Sequence, residues 1–147
     1  MEFAEIKELS LERMNEIVNL EKGIFTGGGV DLWLLKALFH YGKIFVVEND
    51  GFIISIAEFM RDFSEKKVLL YGLCTQKKYL RQGCAEFLML ESEKRLKELG
   101  IDKIELTVDP QNFSALKLYE KLGYKQIEYR ESEYGVGNDR FFYTKIF

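Results

Sequence analysis

Apolar residues recur along this chain with two periods, and the switches between them mark its elements. From Leu11 to Lys22, Met14, Ile17 and Val18 share one helical face, with Ser10 ahead of them as a candidate N-cap. The loosely alternating Phe3 to Leu9 is expected as a first strand. Gly27-Gly28-Gly29 then breaks the pattern and is open to two readings, a flexible connection or a loop whose missing side chains admit a substrate. Val30 to His40, rich in leucine and carrying Trp33 and Phe39, is expected as a second, short helix. Beyond it the period falls to two. Ile44 to Glu48, the turn Asn49-Asp50-Gly51, Phe52 to Arg61, a second turn at Asp62 to Lys66, and Lys67 to Thr75 predict an antiparallel meander.

From Gly83 the helical period returns: Ala85, Leu88, Met89, Ser92, Leu96 and Leu99 lie on one face, and Gly100 closes the helix. Ile101 to Val108 is the next strand, ended by Asp109-Pro110 because proline cannot donate to a ladder. Ala115, Leu118, Tyr119 and Leu122 then mark a short helix closed by Gly123. Tyr124 to Glu131 and Arg140 to Phe147 complete the chain as strands joined by the polar segment Ser132 to Asp139. The expected fold is of the α/β (α+β) class, a single domain over residues 1–147. It is built on one mixed sheet of about six or seven strands with about four helices on its faces.

Composition narrows the function classes. A chain of 147 residues, 47% apolar with one proline, is long enough for one sizeable core and shows no low-complexity segment. No apolar run approaches the ~20 residues of a membrane span, and the N-terminus lacks the basic flank and apolar stretch of a signal peptide, so the cytoplasm is the expected compartment. A net charge of −3 gives no electrostatic reason to bind nucleic acid or an anionic membrane. Cys74, Cys84 and the lone His40 cannot furnish a four-ligand Cys/His zinc site, so no metal is expected. The two cysteines read as small free thiols and His40 as a helix-end residue. The aromatic C-terminus, Phe141 to Phe147, offers surface for a homodimer, although a core strand would read the same.

The chemistry points to Thr75 to Ala85. Here a strand runs through a basic loop, with Lys77, Lys78 and Arg81, into a helix N-terminus. The first-turn N–H groups of a helix lack intrahelical acceptors and sit at its positive dipole end, so a diphosphate satisfies both. Gly83 admits a close approach of the backbone, and Cys84 and Ala85 are small. An ordinary helix start with solvated lysines is the plainer alternative. There is no Gly-x-x-x-x-Gly-Lys-[Ser/Thr] and no Gly-x-Gly-x-x-Gly after the first strand, which excludes a Walker loop and a dinucleotide fold.

Two separated motifs in this region resemble the GNAT superfamily of acetyl-CoA-dependent N-acetyltransferases. Leu80-Arg81-Gln82-Gly83-Cys84-Ala85 follows the family's [Gln/Arg]-x-x-Gly-x-[Gly/Ala] loop at Gly83 and Ala85, departing from it at Leu80. Asn112, Ala115, Tyr119, Gly123 and Tyr124 match the family's Asn-x-x-Ala-x-x-x-Tyr-x-x-x-Gly-[Phe/Tyr] in full.

The resemblance implies a site. Backbone groups of Leu73, Cys74 and Thr75 would bind the pantetheine arm of acetyl-CoA, and the loop from Leu80 through Arg81, Gln82, Gly83, Cys84 and Ala85 to Glu86 would hold its diphosphate. Asn112 would contact that arm or position the helix bearing Tyr119. The strands ending near Thr75 and Val108 would splay into a V-shaped gap for acetyl-CoA. Tyr119 is the candidate general acid for the departing thiolate, since a phenol of pKa ~10 can protonate a thiolate whose conjugate acid lies at ~8.5. A backbone N–H near Leu73 or Cys74 is the candidate oxyanion donor. Some relatives carry a glutamate base on the strand before the loop, yet Lys67 to Thr75 contains no carboxylate. Glu58, on the adjacent strand with Ile56 and Met60, is the candidate base, its plainer identity being a solvated or salt-bridged residue, and Tyr71 or a water chain are alternatives. The expected activity is acetyl transfer from acetyl-CoA to a primary amine of a small molecule or peptide. The alternative is a non-catalytic acyl-CoA sensor, and neither nucleic acid nor membrane is an expected partner.

Overall fold

Alternation puts successive side chains of a strand on opposite faces, and here both faces of the central strands are apolar enough to be covered. The computed structural model describes residues 1–25 and 29–147. Its strands are β1 (Glu2–Glu5), β2 (Gly42–Asn49), β3 (Phe52–Arg61), β4 (Lys67–Thr75), β5 (Lys103–Val108), β6 (Lys125–Arg130) and β7 (Arg140–Ile146). Its helices are α1 (Leu11–Lys22), α2 (Leu32–Tyr41), α3 (Cys84–Glu98) and α4 (Phe113–Lys121), with a 3-10 turn at Lys77–Tyr79. The seven strands form one sheet in the order β1-β2-β3-β4-β5-β7-β6, in which only β4 and β5 pair in parallel.

Neighbouring residues of β2 point to opposite cores. Phe45 and Val47 face α3 and α4, packing with Leu88, Met89, Leu106 and Tyr119. Ile44 and Val46 face α1 and α2, packing with Ile17, Leu35, Leu38 and Ile56. The meander forms as expected, and its first turn has Asp50 and Gly51 at φ of 51° and 81°, the pair of left-handed residues that a two-residue hairpin requires.

The expected first strand, Phe3 to Leu9, is shorter than its alternation suggested and ends at Glu5, and the second helix starts at Leu32 behind an Asp31 cap. Gly27 and Gly28 lie outside the described residues. Gly29 backs onto α1, where a Cβ would stand 3.1 Å from that of Glu21. Cys74 and Cys84 are free and buried in opposite cores, which rules out a bond between them. The aromatic β7 has partners on both edges, so it is an interior strand. None of the described helices is long and apolar enough to cross a membrane.

The feature that makes a site is the parting of β4 from β5. They pair only from Lys67↔Lys103 to Leu70↔Leu106, and β4 then continues alone on that side to Thr75. The break coincides with a bulge: Glu58 faces Gly72 while Phe59 faces Leu70, leaving Tyr71 as the extra residue of β4. An unpaired residue bends its strand, so the bulge turns β4 away from β5 and opens the cleft.

Candidate active site

The free edge of β4 can be assigned residue by residue. The Gln76 N–H donates to Ile54 C=O at 2.9 Å, which sets the alternation of the ladder. Gly72 and Cys74 therefore turn their main-chain groups toward β3, whereas Leu73 and Thr75 turn theirs into the cleft. Of the three positions taken together in the sequence, two are open to a ligand. Cys74 is committed further, its C=O accepting a hydrogen bond from buried Ser55 Oγ at 3.1 Å.

α3 starts beside the end of this strand, and its start differs from those of the other helices. Side chains cap α1 (Ser10), α2 (Asp31) and α4 (Asn112), but the N-cap of α3 is Gly83, with no side-chain hydrogen bond. Gly83 is left-handed, with φ 78°, and nothing lies within 4 Å of where its Cβ would be. The glycine is required by its backbone angle, and the space before it is open. The Gly83 C=O accepts from Phe87 N–H, so the Cys84, Ala85 and Glu86 N–H groups precede the first intrahelical donor. Gln82 Nε2 pins the preceding loop to Lys78 C=O at 3.0 Å, and Arg81 adopts φ 61°. Exposed Leu80 presents its backbone here, and the Glu86 side chain pairs with Lys121 of α4 at 2.6 Å. Lys77, Lys78 and Arg81 are exposed and form no ion pair with a described residue. This arrangement suits a diphosphate lying over Gly83 and an amide-bearing arm along Leu73 and Thr75.

Tyr119 packs its ring 5.7 Å from that of Tyr124 at the base of α4. Burial holds its phenol well above the ordinary value, so it is a neutral proton carrier across the physiological range. Its hydroxyl makes no hydrogen bond with a described residue. Asn112 Oδ1 accepts from Ala115 N–H at 3.3 Å, which makes this side chain the cap that sets the start of α4.

Glu58 is neither solvated nor salt-bridged. It is fully buried on the α1 and α2 side of the sheet, and Glu21, from the last turn of α1, meets it there at 1% exposure. The two carboxyls converge over Gly72, an arrangement that favours one of them carrying a proton. Gly72 makes room for them, since a Cβ there would stand 2.5 Å from Glu58 Oε1. Desolvation pushes Glu21 up to about 7, with hydrogen bonds from Glu58 and the Val30 backbone opposing; Glu58 is pushed well above the carboxylate range by burial and then by the charge of Glu21. The pair in turn raises the buried thiol of Cys74, after desolvation, and contributes to the raised phenol of Tyr71.

Sequence reasoning missed Glu21. The signal was its spacing, because residues 14, 17, 18 and 21 form one stripe and Glu21 is the charged member of a buried face. It also left Thr107 unassigned, whose Oγ1 lies 2.8 Å from the Tyr134 hydroxyl, bringing the β6–β7 connection onto β5 at the cleft. Around the β6–β7 connection, Tyr129 and Glu133 are engaged locally, with Asp139 and Arg130. Exposed His40 ends α2 away from these groups.

A model of the acetyltransferase (GNAT) family matches residues 11–124, from α1 through α4. The chain belongs to the GNAT acetyltransferase family. It is thus an acyltransferase of a family that uses acetyl-CoA, and the uncapped α3 and free edge of β4 fit that substrate. No curated protein matches the chain. Among solved structures, the ribosomal-protein-S18-alanine N-acetyltransferase of Escherichia coli has 17% identity and a TM-score of 0.81, covering 99% of this chain and 94% of that one. An aminoglycoside 6'-N-acetyltransferase complexed with coenzyme A has 14% identity and a TM-score of 0.85, covering 99% and 97%. An aminoglycoside 6'-acetyltransferase type Ii has 15% identity and a TM-score of 0.87, with the same coverages. At these identities the likeness establishes the GNAT fold, not a shared acceptor.

Proposed function

We propose that this GNAT protein transfers the acetyl group of acetyl-CoA to a primary amine of a small molecule or peptide, in the cytoplasm. The observation that carries this reading is the uncapped start of α3 beside the free edge of β4. Both are rows of main-chain groups without partners among the described residues, of the kinds that suit a diphosphate and an amide-bearing arm.

Acetyl-CoA is a consumed substrate that supplies an acetyl thioester already activated toward an amine. The Cys84, Ala85 and Glu86 N–H groups bind the diphosphate, with Lys77, Lys78 and Arg81 providing attraction. Leu73 and Thr75 bind the pantetheine arm as a neighbouring strand would. The Leu73 N–H, facing the cleft, donates to the carbonyl oxygen as charge develops on it, a type of contribution worth ~3 kcal/mol per donor. The buried Glu58 and Glu21 pair takes the proton that the amine must lose. Tyr119, held neutral by burial, gives its phenolic proton to the departing thiolate.

Incubation with acetyl-CoA and a panel of primary amines tests this, with free thiol and acetylated product as readouts. Calorimetric binding of CoA, a thermal upshift and product with at least one amine are expected. Binding without turnover across the panel would favour a sensor, although the missing strand carboxylate that motivated that alternative is offset by the Glu58 and Glu21 pair.

A further inference from the structure

Helices cover the two faces of the sheet unequally. The core under α3 and α4 takes residues from β2 to β7, whereas the core under α1 and α2 takes no described residue from β5, β6 or β7. On that second face the β6–β7 connection lies over β5 instead. Thr107 alternates with Leu106 and Val108, which point into the α3 core, so its side chain stands on the second face, one residue beyond the last pairing of β5 with β4. Tyr134 meets it there, hydroxyl to hydroxyl at 2.8 Å. The connection fixes Tyr134 by its own bonds: the Ser132 N–H donates to Asp139 Oδ1 at 2.7 Å, the Gly135 N–H to Ser132 C=O at 3.1 Å and the Asn138 N–H to Gly135 C=O at 2.9 Å.

Phe142, the β7 partner of Thr107, shares its face, and so does Arg140 two residues earlier, opposite Arg130 of β6. Like charges opposed across two strands are unfavourable unless neutralised. Arg130, lying over Phe142, is neutralised by Glu128 at 2.5 Å and Glu133 at 2.7 Å. Arg140 is not. Its guanidinium lies over the Tyr134 ring, 5.3 Å from the centroid, and only Nη1 is engaged, donating to Asp139 C=O at 2.8 Å. The one described carboxylate near it, that of Asp109, stands 4.0 Å away, is half-exposed and already accepts the Gln111 N–H. Nε and Nη2 of Arg140 form no hydrogen bond with a described residue, and the side chain is 23% exposed. These two donors make one edge of the planar group, and their spacing matches the two oxygens of a carboxylate.

We propose that Arg140 binds a carboxylate on the acetyl acceptor, so that the protein acetylates small amines carrying their own carboxylate, with Tyr134 as the residue that positions the guanidinium. This rests on the reading that the protein acetylates an amine, and it narrows the acceptor class. The α3 start and Tyr119 belong to the opposite face, so an acceptor that reaches the thioester from the second face, through the parting of β4 and β5, passes Thr107 and the open edge of Arg140. A carboxylate gains two charge-assisted hydrogen bonds there and relieves the opposed arginines. A polyamine meets an uncompensated cation.

The test is a series of ω-amino carboxylates of increasing chain length, each beside its own carboxamide. At least one carboxylate should exceed its amide tenfold or more in kcat/KM, chiefly through KM. Arg140→Gln should bring that ratio to within threefold of unity with CoA affinity by calorimetry unchanged, and Arg140→Lys, which keeps the charge without the two-donor edge, should leave an intermediate ratio. Absence of the preference in the unsubstituted protein, or its survival in Arg140→Gln, would overturn the proposal. Failure of the function reading looks different, since no amine in the series would be acetylated. The N-acetylated carboxylates then decide the matter by calorimetry on the CoA-bound protein: binding at least tenfold tighter than to Arg140→Gln is expected, and equal or absent binding refutes the assignment.

Discussion

The two sides of the sheet leave polar groups unsatisfied in opposite ways. On the α3 side, the N–H groups that start the helix are exposed, uncapped and fronted by a glycine with open space before it. Leaving them to water costs the free protein little, and a ligand gains them ready-oriented. On the α1 side, Glu21 and Glu58 are sealed from water, and their lack of partners is a standing cost that shifts their proton affinities. The first leaves oriented donors open to solvent; the second stores a protonation state. Tyr119, from α4, combines features of both, with a buried ring and a hydroxyl that no described residue engages.

The comparison can be broken first at Tyr119. Tyr119→Phe keeps the ring against Tyr124 and removes the proton, so turnover should fall about 10²–10⁴-fold with unchanged CoA affinity by calorimetry. A wild-type rate would remove the phenol from the chemistry.

The buried side should also show itself in stability without any ligand. A glutamate in the unfolded chain gives up its proton near its ordinary value of 4.5, whereas folded Glu21 keeps its proton until about 7. The folded state therefore binds more protons across that window, and stability falls as pH rises through it. For Glu21 the fall levels off above about 7, while Glu58 extends it upward. Thermal melts across this range should lose on the order of 2 kcal/mol, and Glu21→Gln should flatten the profile. A flat profile in the unsubstituted protein would mean that the pair ionises freely.

On the exposed side, Gly83→Ala should weaken CoA binding about tenfold while lowering stability by only about 1 kcal/mol. The left-handed backbone disfavours the new methyl, and the methyl projects where the diphosphate would lie. Equal CoA affinity would place the ligand elsewhere. The smallest effect is expected at a capped helix: Asn112→Ala should cost about 1 kcal/mol in chemical denaturation and leave CoA affinity within twofold. A larger loss of affinity would add a direct contact to the capping role of Asn112.

How much of this could be read from residue order follows the same division. The α3 start, Tyr119 and the Asn112 cap each belong to a short contiguous stretch, where spacing alone sets which groups meet. The meander from β2 to β4 was legible for the same reason, through alternation and turn chemistry, and so was the cap at Ser10. Strand limits were less so: alternation continues past Glu5 toward Leu9, but β1 ends at Glu5, opposite Phe45 inside β2.

By itself, the sequence determined the order of elements, the family motifs and the glycine-led start of α3, because these depend on local backbone geometry and on side chains a few residues apart. Only the tertiary structure decided that β4 leaves β5 at Tyr71, which main-chain groups of Leu73 to Thr75 face the cleft, and that Glu21 and Glu58 meet over Gly72. Those contacts join residues up to 51 positions apart. Burial and proton affinity depend on what the rest of the fold brings against a side chain, and that information does not reside in its neighbours along the chain.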